Sequence, residues 1–404
     1  MADSIDDGLP APEAQGTARP TDDAAAPGPA EPAGGEVAGE ASPGPATVQV
    51  ALARPPGPGL PEALGWTIGL IPAQFACAAV ATLCVIVGVG LGVIGRTEDL
   101  QAVAQDPSST PDLIRQHEGA ITAGTLGLFV LLAIAAARLR LGRAMLRKLS
   151  LRRVGVPHAA LTLCAVLPAA LVAGQTNWCA QLAWERLCEW APGLRWLDPM
   201  DVRQAVLTML DQLPWPVLLL ALAAAPAIAE EILFRGVIGR GLVARWGIAA
   251  GVAITSLLFC AIHIHPAHAV GVLPLAIVIH LMYLATRSFY VPMAIHFLNN
   301  SFALAAARSQ AEFELPGMND AAPVPPLLFA ASLACLLAIL WTAWKSRVEF
   351  RLPNGEAWDP GFPTAEAPPR EDARRVRRRA GVVEWVLVAV AIAAFFATMA
   401  GYAI

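Results

Sequence analysis

The sequence has few charged residues for its length. Only 15% of its 404 residues are charged, and just two of its 28 basic residues are lysines. A soluble globular domain carries about 25% charged residues, whereas 56% of this chain is hydrophobic. The scarcity of charge excludes an ordinary soluble domain and predicts a membrane protein. The net charge of −4 points to no partner, because acidic and basic residues are segregated along the chain.

Several familiar motifs are also missing. The seven cysteines include no CxxC pair, and five of them lie in apolar runs, where a thiol behaves as a small hydrophobic group. Cys179 and Cys188 are the exception, since they would be able to pair if their segment faces an oxidising space. The sequence has no glycine-rich phosphate loop, no internal repeat and no nucleic-acid motif. It also does not start with a positively charged region followed by an apolar run, the pattern that predicts a cleavable signal peptide.

Residues 1–63 are rich in Ala, Pro and Gly with scattered acidic residues. Such a segment buries too little apolar surface to fold, so we expect a disordered acidic tail. The rest of the chain is expected to comprise spans and an interfacial segment at 64–200, a core at 201–308 and further spans at 309–404.

Long apolar runs fill the chain after the tail. A spanning helix needs about 20 apolar residues, so the sequence predicts an all-α, polytopic transmembrane bundle of about eight or nine spans. The candidate spans are 64–94, 120–137, 158–174, 215–235, 247–263, 270–286, 290–307, 325–344 and 384–404. The segment 175–214 has aromatics and leucines at helical spacing, which fits an interfacial helix or a packed extramembrane loop.

Basic residues predict the orientation. Seven lie in 138–153 and nine in the basic loop 345–379, and cytoplasmic loops carry the excess of Lys and Arg. Placing both segments in the cytoplasm puts 20 basic residues inside and six outside. We therefore expect a multi-pass protein of the cell (inner) membrane, with a cytoplasmic N-terminus and the C-terminus outside. These basic clusters flank spans, so the lipid bilayer explains them and nucleic acid does not.

Polar residues within the apolar runs are concentrated in one region. A charged residue inside a span costs about 2.5–3.5 kcal/mol on insertion scales, so such residues are few and usually functional. The candidates for a functional site are Glu230, Glu231, Arg235, His263, His296 and Asn300.

Helix geometry separates the two adjacent glutamates. Glu231 and Arg235 are four residues apart with the acid first, the better order for an ion pair. Glu230 points to another sector and has no local partner. A carboxylate beside another carboxylate in an apolar site suits a general base. The alternative is that all three charges form one buried structural network.

The histidine motifs complete a possible hydrolytic site. "FCAIH" places Phe259 and His263 on one helix face, and "HFLNN" does the same for His296 and Asn300. Glutamate, histidine and amide groups are able to activate a water and stabilise an oxyanion, with or without a metal. Helix rises allow these residues to meet only if the 230–263 hairpin, with its turn near Val243, projects about 10 Å or more beyond the bilayer on the cytoplasmic side. The site would then lie in the cytoplasmic half of the membrane.

At these residues the chain resembles a known family. "EEILFRG", "SLLFCAIH" and "AIHFLNNS" are similar to the EExxxR, FxxxH and HxxxN motifs of the CAAX-protease and bacteriocin-processing (CPBP) family, whose members are intramembrane endopeptidases related to the type II CAAX prenyl endopeptidase. The resemblance covers about a quarter of the chain, residues 200–308, and three motifs in order make it specific.

The resemblance implies roles for individual residues. Glu230 would activate water with His263, His296 and Asn300 would stabilise the oxyanion, and Glu231 with Arg235 would have a catalytic or supporting role. Glu230, His263 and His296 would also suit a Zn²⁺ ion, while a metal-free glutamate mechanism uses the same residues. Three other histidines lie outside the family pattern. His265 and His268 are expected to cap an irregular segment or to add ligands, and His280 to form an interhelical hydrogen bond.

Three functions remain open from the sequence. The first is an intramembrane peptidase cutting a membrane-embedded or membrane-delivered peptide or protein. The second is a non-hydrolytic membrane scaffold or immunity-type binding protein that keeps the same pocket. The third is a proton-coupled transporter. Such folds have paired broken helices, and the sequence does not show them. Neither the oligomeric state nor the substrate is predicted.

Overall fold

The computed structural model describes residues 55–95, 97–106, 108, 110–201, 206–207, 209–210, 213–309, 322–369 and 373–402. Across this part of the chain the fold is a helical bundle with a single two-stranded sheet. The predicted all-α bundle is therefore confirmed. Residues 1–54 of the predicted acidic tail lie outside the described residues. The remainder of that tail does have structure, since the first helix begins at Leu60.

The first six helices precede the motif-bearing region. They are α1 (Leu60–Gly90), α2 (Thr97–Gln105), α3 (Thr110–Gln116), α4 (Glu118–Leu141), α5 (Met145–Leu149) and α6 (Val156–Trp190). The remaining helices are α7 (Trp215–Ala261), α8 (Pro266–Thr286), α9 (Tyr290–Ser309), α10 (Pro326–Lys345) and α11 (Val382–Tyr402). Strands β1 (Val348–Arg351) and β2 (Arg374–Arg377) pair antiparallel between α10 and α11.

Seven helical stretches of the described chain are long and apolar enough to cross a membrane, which makes this a multi-pass membrane protein. They are α1, α4 with α5, α6, α7, α8, α10 and α11. The predicted span 290–307 is helical as α9 but is not among the seven, because His296, Asn299 and Asn300 lower its hydropathy. Two predicted spans, 215–235 and 247–263, belong to the one long segment α7.

Helix α7 folds back on itself at Gly247, so its two halves form a hairpin. Gly247 has φ 78° and ψ 178°, a conformation that is essentially restricted to glycine. The two arms then run antiparallel and very close, since a Cβ added to Gly251 would lie 2.4 Å from the Cα of Val243. The predicted hairpin is present, and its turn lies at Gly247, four residues later than expected.

Helix α6 corrects the prediction for the segment 175–214. It continues without interruption to Trp190, and a short 3₁₀ helix, Pro192–Met200, follows it. With 35 residues it is about 52 Å long, well beyond the 30 Å of a hydrocarbon core. The first half of the predicted interfacial or loop segment is therefore an extension of a span. The Cys179 and Cys188 thiols are both free, so no disulfide joins them.

The basic segments gather at one end of the bundle. The Arg375 guanidinium donates to the carbonyls of Arg153 and Thr286, and Arg147 Nη1 donates to the Ala367 carbonyl at 2.8 Å. We call this the basic end; it is formed by 138–153, 235–247, 287–289, 345–369 and 373–379. The Arg245 guanidinium at the hairpin tip also donates to the carbonyls of residues 56 and 58. The structure thus groups the segments that the charge pattern assigned to one side, while the side itself stays a prediction.

Candidate active site

The first motif lies on an irregular stretch of α7. Residues Ala225–Glu231 are α-helical, whereas Leu219–Ala224 before them and Ile232–Ile238 after them are π-helical. A π-helix pairs each N–H with the carbonyl five residues earlier, is rare, and is frequently found at functional sites. The wide turns change which side chains face the same direction and leave carbonyls available to other helices.

Glu231 is the centre of a fully buried hydrogen-bond network. Its Oε1 accepts from Arg235 Nη1 and from His296 Nδ1, each at 2.9 Å. The Glu231 and Arg235 side chains are both 0% exposed, so the predicted ion pair is confirmed. Because its proton-bearing Nδ1 faces a carboxylate, His296 is fixed in orientation in the manner of carboxylate–histidine pairs in enzymes. This network connects the first motif on α7 with the third motif on α9.

Arg235 also ties the network to the second arm of the hairpin and to α8. Its Nη2 donates to the Ala276 carbonyl at 2.9 Å. Its guanidinium lies over the ring of Phe259 with 4.6 Å to the ring centre, a favourable cation–π geometry. Phe259 in turn has edge contacts with His263 at 5.1 Å and His296 at 6.0 Å between ring centres. The motif phenylalanine is thus the apolar hub around which the three motifs meet.

Glu230 differs from its neighbour in exposure and partners. Its side chain is 14% exposed, and its Oε2 lies 3.9 Å from His296 Nε2. The two nitrogens of the His296 ring therefore face two different glutamates, Glu231 through Nδ1 and Glu230 through Nε2. Glu230 is the more accessible carboxylate, as a water-activating group must be, and Glu231 is closed off by its partners.

His263 lies in the tight connection between α7 and α8. Its Nδ1 contacts the Phe259 carbonyl at 3.1 Å, which favours a proton on Nδ1 and leaves a lone pair on Nε2. The next residue, Ile264, has φ 58°, a left-handed conformation that is a genuine outlier for a β-branched side chain. Such strain clusters at functional sites and persists where the surroundings enforce it. Between the described side chains, no hydrogen bond or ion pair joins His263 to Glu230.

Asn300 is held by the first π-helical stretch. Its Nδ2 donates to the Leu222 carbonyl at 3.3 Å, and its Oδ1 accepts from Asn299 Nδ2 at 3.4 Å. These two bonds define which end of the amide is nitrogen. One of the two Nδ2 protons remains for another acceptor. The side chain lies one helical turn beyond His296 on α9 and is partly exposed.

The structure joins four of the six predicted residues by direct polar contacts, namely Glu230, Glu231, Arg235 and His296. His263 contacts the same cluster through Phe259, and Asn300 lies one turn past His296 on α9. In the described part of the chain, no group of three His, Cys, Asp or Glu side chains is placed to hold a metal ion. His296 and His263 each use Nδ1, for Glu231 and for the Phe259 carbonyl, which leaves Nε2 of each ring for a further partner. The zinc site that the family resemblance implies for Glu230, His263 and His296 therefore stays a prediction, and the roles proposed for these side chains do not depend on it.

The three further histidines have separate surroundings. His268 lies beside His263 with 5.0 Å between ring centres, while His265 is buried at the start of α8 with its ring edge against Trp184. The expected interhelical hydrogen bond of His280 is not seen at Nδ1, which is buried with no partner among the described residues. Sequence reasoning also missed the carbonyls of Leu222 and Ala276, since a main-chain acceptor leaves no mark on the sequence.

Comparison with known proteins agrees with this site. Residues 212–302 match the family model described as type II CAAX prenyl endopeptidase Rce1-like. The match spans all three motifs and confirms the resemblance to the CAAX-protease and bacteriocin-processing family. It supports a protease, and hence a hydrolase, of the intramembrane endopeptidase kind. No curated protein and no solved structure matches the chain.

Proposed function

We propose that this protein is an intramembrane endopeptidase that hydrolyses a peptide bond in a membrane-embedded or membrane-delivered protein. The observation that carries the proposal is the arrangement around His296. One ring nitrogen is held by the buried Glu231, and the other faces the more accessible Glu230 at 3.9 Å. A histidine that a carboxylate orients through one ring nitrogen, with the other nitrogen facing the reacting groups, is the arrangement of the Ser-His-Asp triad.

The side chains divide the work of amide hydrolysis between them. Glu230 takes a proton from a water molecule, and His263 Nε2 orients that water, which attacks the peptide carbonyl carbon. The oxyanion accepts from the remaining Nδ2 proton of Asn300 and, when the His296 ring is doubly protonated, from His296 Nε2–H. Glu230 then passes its proton to the leaving amine as the C–N bond breaks, which yields a carboxylic acid and an amine.

Glu231 and Arg235 support this chemistry without contacting the substrate. Both side chains are 0% exposed, so their role is to set the position of His296 and to hold the two arms of α7 together. This refines the catalytic or supporting role that the family resemblance left open for them.

The test is cleavage of a mixed library of membrane peptides by the purified protein in detergent. We expect wild type to cut and Glu230→Gln to lose about 10²- to 10⁴-fold in rate, the range of a removed general base. Glu62→Gln, which changes an exposed glutamate of α1, is the matched control and should cut like wild type. A parallel reaction with a chelator decides whether zinc is required.

The opposite result would favour a different class of function. If neither wild type nor Glu230→Gln cuts any peptide, while both remain folded and capture the same membrane partners, the protein acts as a non-hydrolytic scaffold or immunity-type binding protein. If wild type cuts but Glu230→Gln and the control Glu62→Gln both fail to cut, the variant preparations are damaged.

We also propose that the basic end faces the cytoplasm, with the N-terminus on that side, in the cell (inner) membrane. The support is the excess of Lys and Arg at this end. Trp344 and Trp385 also lie under Arg347 and Arg377 there, as expected for an aromatic belt at a membrane surface. A reporter that is active only in the cytoplasm, fused to the N-terminus, should be active; an inactive reporter would reverse the assignment.

A further inference from the structure

A short piece of the extramembrane segment between β1 and β2 enters the helical bundle at the basic end. Residues 363–367, which we call the inserted segment, lie within a stretch without helix or strand. Thr364 and Glu366 are each 8% exposed and Ala367 is fully buried. Ala365 belongs to the same hydrophobic cluster as Leu233. Pro363–Glu366 also line a small cavity together with Arg235, Gly239 and Arg240, so the inserted segment faces the stretch of α7 that follows Glu231.

Glu366 connects the inserted segment to two helices. Its carboxylate accepts from the Arg240 guanidinium in a short contact and lies 3.9 Å from Arg147 Nη1. Arg147 also donates to the Ala367 carbonyl at 2.8 Å. The Arg240 and Glu366 side chains are only 11% and 10% exposed. Removing one partner of such a buried pair leaves the other charge uncompensated, which is costly.

The Arg240–Glu366 pair lies immediately after the π-helical stretch Ile232–Ile238. A π-helical stretch is rare within a helix, and several tertiary contacts pack against this one. Two such contacts are glycine approaches, because a Cβ on Gly236 would lie 2.5 Å from Leu149 and one on Gly239 would lie 2.7 Å from His280. A small cavity between Arg235 and the inserted segment adjoins this stretch. Among the described residues, Arg240 is the charged residue directly after this stretch that bonds to the inserted segment.

We infer that Glu366 is a positioning residue that fixes Ile232–Ile238, and through it the orientation of Glu230 and Glu231. The expected effect of Glu366 on catalysis rests on the proposed function. Its expected effect on the structure of Ile232–Ile238 does not. Without the carboxylate, Arg240 loses its partner and the end of the π-helical stretch is free to rearrange. Such a rearrangement rotates Arg235 relative to Glu231 and loosens the network that orients His296. Glu366 lies outside residues 212–302 and far from them in sequence, so only the fold connects it with the motifs.

The experiment compares Glu366→Gln with Glu356→Gln in the full-length protein. Glu356 is ten residues earlier in the same connection and exposed. Among the described residues its carboxylate is paired only with Asn354, so it is the matched control. The first measurement is amide hydrogen exchange of residues 232–240 in detergent. The second is the separate determination of kcat and KM for a peptide that wild type cuts. Glu366→Asp, which keeps the carboxylate, tests for rescue.

We expect Glu366→Gln to raise exchange in 232–240 and to lower kcat by roughly 3- to 30-fold with KM nearly unchanged, the range of coupling transmitted through packed elements. Glu356→Gln should change neither, and Glu366→Asp should recover much of the loss. Unchanged exchange in Glu366→Gln overturns the inference whatever the activity, as does raised exchange with unchanged kcat. If wild type cuts nothing, the proposed function fails, and hydrogen exchange alone then decides whether Glu366 holds this stretch.

Discussion

The ion pair between Glu231 and Arg235 offers the sharpest test of the buried network. Replacing Glu231 by Gln removes the anion while keeping the shape of the side chain. Arg235 would then retain the neutral amide oxygen of Gln, the Ala276 carbonyl and the Phe259 ring as partners, with no anion in direct contact at a position that has no solvent exposure. Removing one member of a buried pair costs about 3–5 kcal/mol, because the other charge is left unpaired. We expect a loss of that size in the free energy of unfolding.

The double variant separates pairing from simple loss of packing. Arg235→Met alone should also cost about 3–5 kcal/mol, since it leaves Glu231 with His296 as its one remaining partner. In Glu231→Gln with Arg235→Met neither charge remains, so the total loss should be smaller than the sum of the two single losses by about 2 kcal/mol or more.

The assay is reversible unfolding of the four proteins in mixed micelles, followed by tryptophan fluorescence and circular dichroism. Free energies of unfolding are compared as a double-mutant cycle, with cleavage rates measured on the same samples. Additivity of the single losses to within about 0.5 kcal/mol would refute the reasoning, because it would mean that Glu231 and Arg235 do not interact energetically.

Three further predictions follow from single positions. Gly247→Ala should destabilise the hairpin by about 1–3 kcal/mol, because the φ of 78° at this position is strained for any side chain. Thermal unfolding should show a lower midpoint, and an unchanged midpoint would contradict the assigned turn. Asn300→Ala should lower kcat by about 10²- to 10³-fold as a lost oxyanion donor, and Asn299→Ala by less, because it only supports Asn300; equal losses would count against this division. Glu62→Gln should change stability by less than about 1 kcal/mol, because its ion pair with Arg140 is partly exposed on both sides, and unfolding in micelles measures it.

Much of the site was predictable from local spacing. The pairing of Glu231 with Arg235 follows from their separation by one helical turn, and the structure has it at 2.9 Å. The separate position of Glu230 follows from the 100° step between successive residues. What spacing did not predict was that His296 faces both glutamates, since the two helices that carry them are joined only by packing.

The fold shows the same division between local and distant information. Apolar length located the spans, and the hairpin in α7 was expected from the heights of the motif residues. The continuous course of α6 to Trp190 was missed, because a helix that leaves the hydrocarbon region carries polar residues and no longer has the composition of a span. The turn at Gly247 was displaced for a different reason: several residues near it suit a turn, and only backbone packing selects among them.

The sequence by itself determined that this is a helical membrane protein with three motifs in order, because apolar run length and residue spacing along one helix are local properties. Tertiary structure decided which nitrogen of His296 meets which glutamate, that Phe259 is the hub of the site, and that Glu366 reaches Arg240 across 126 residues of chain. Those contacts depend on how helices cross and on which π-helical turns packing stabilises, and such properties belong to the assembled bundle and not to any one segment of it.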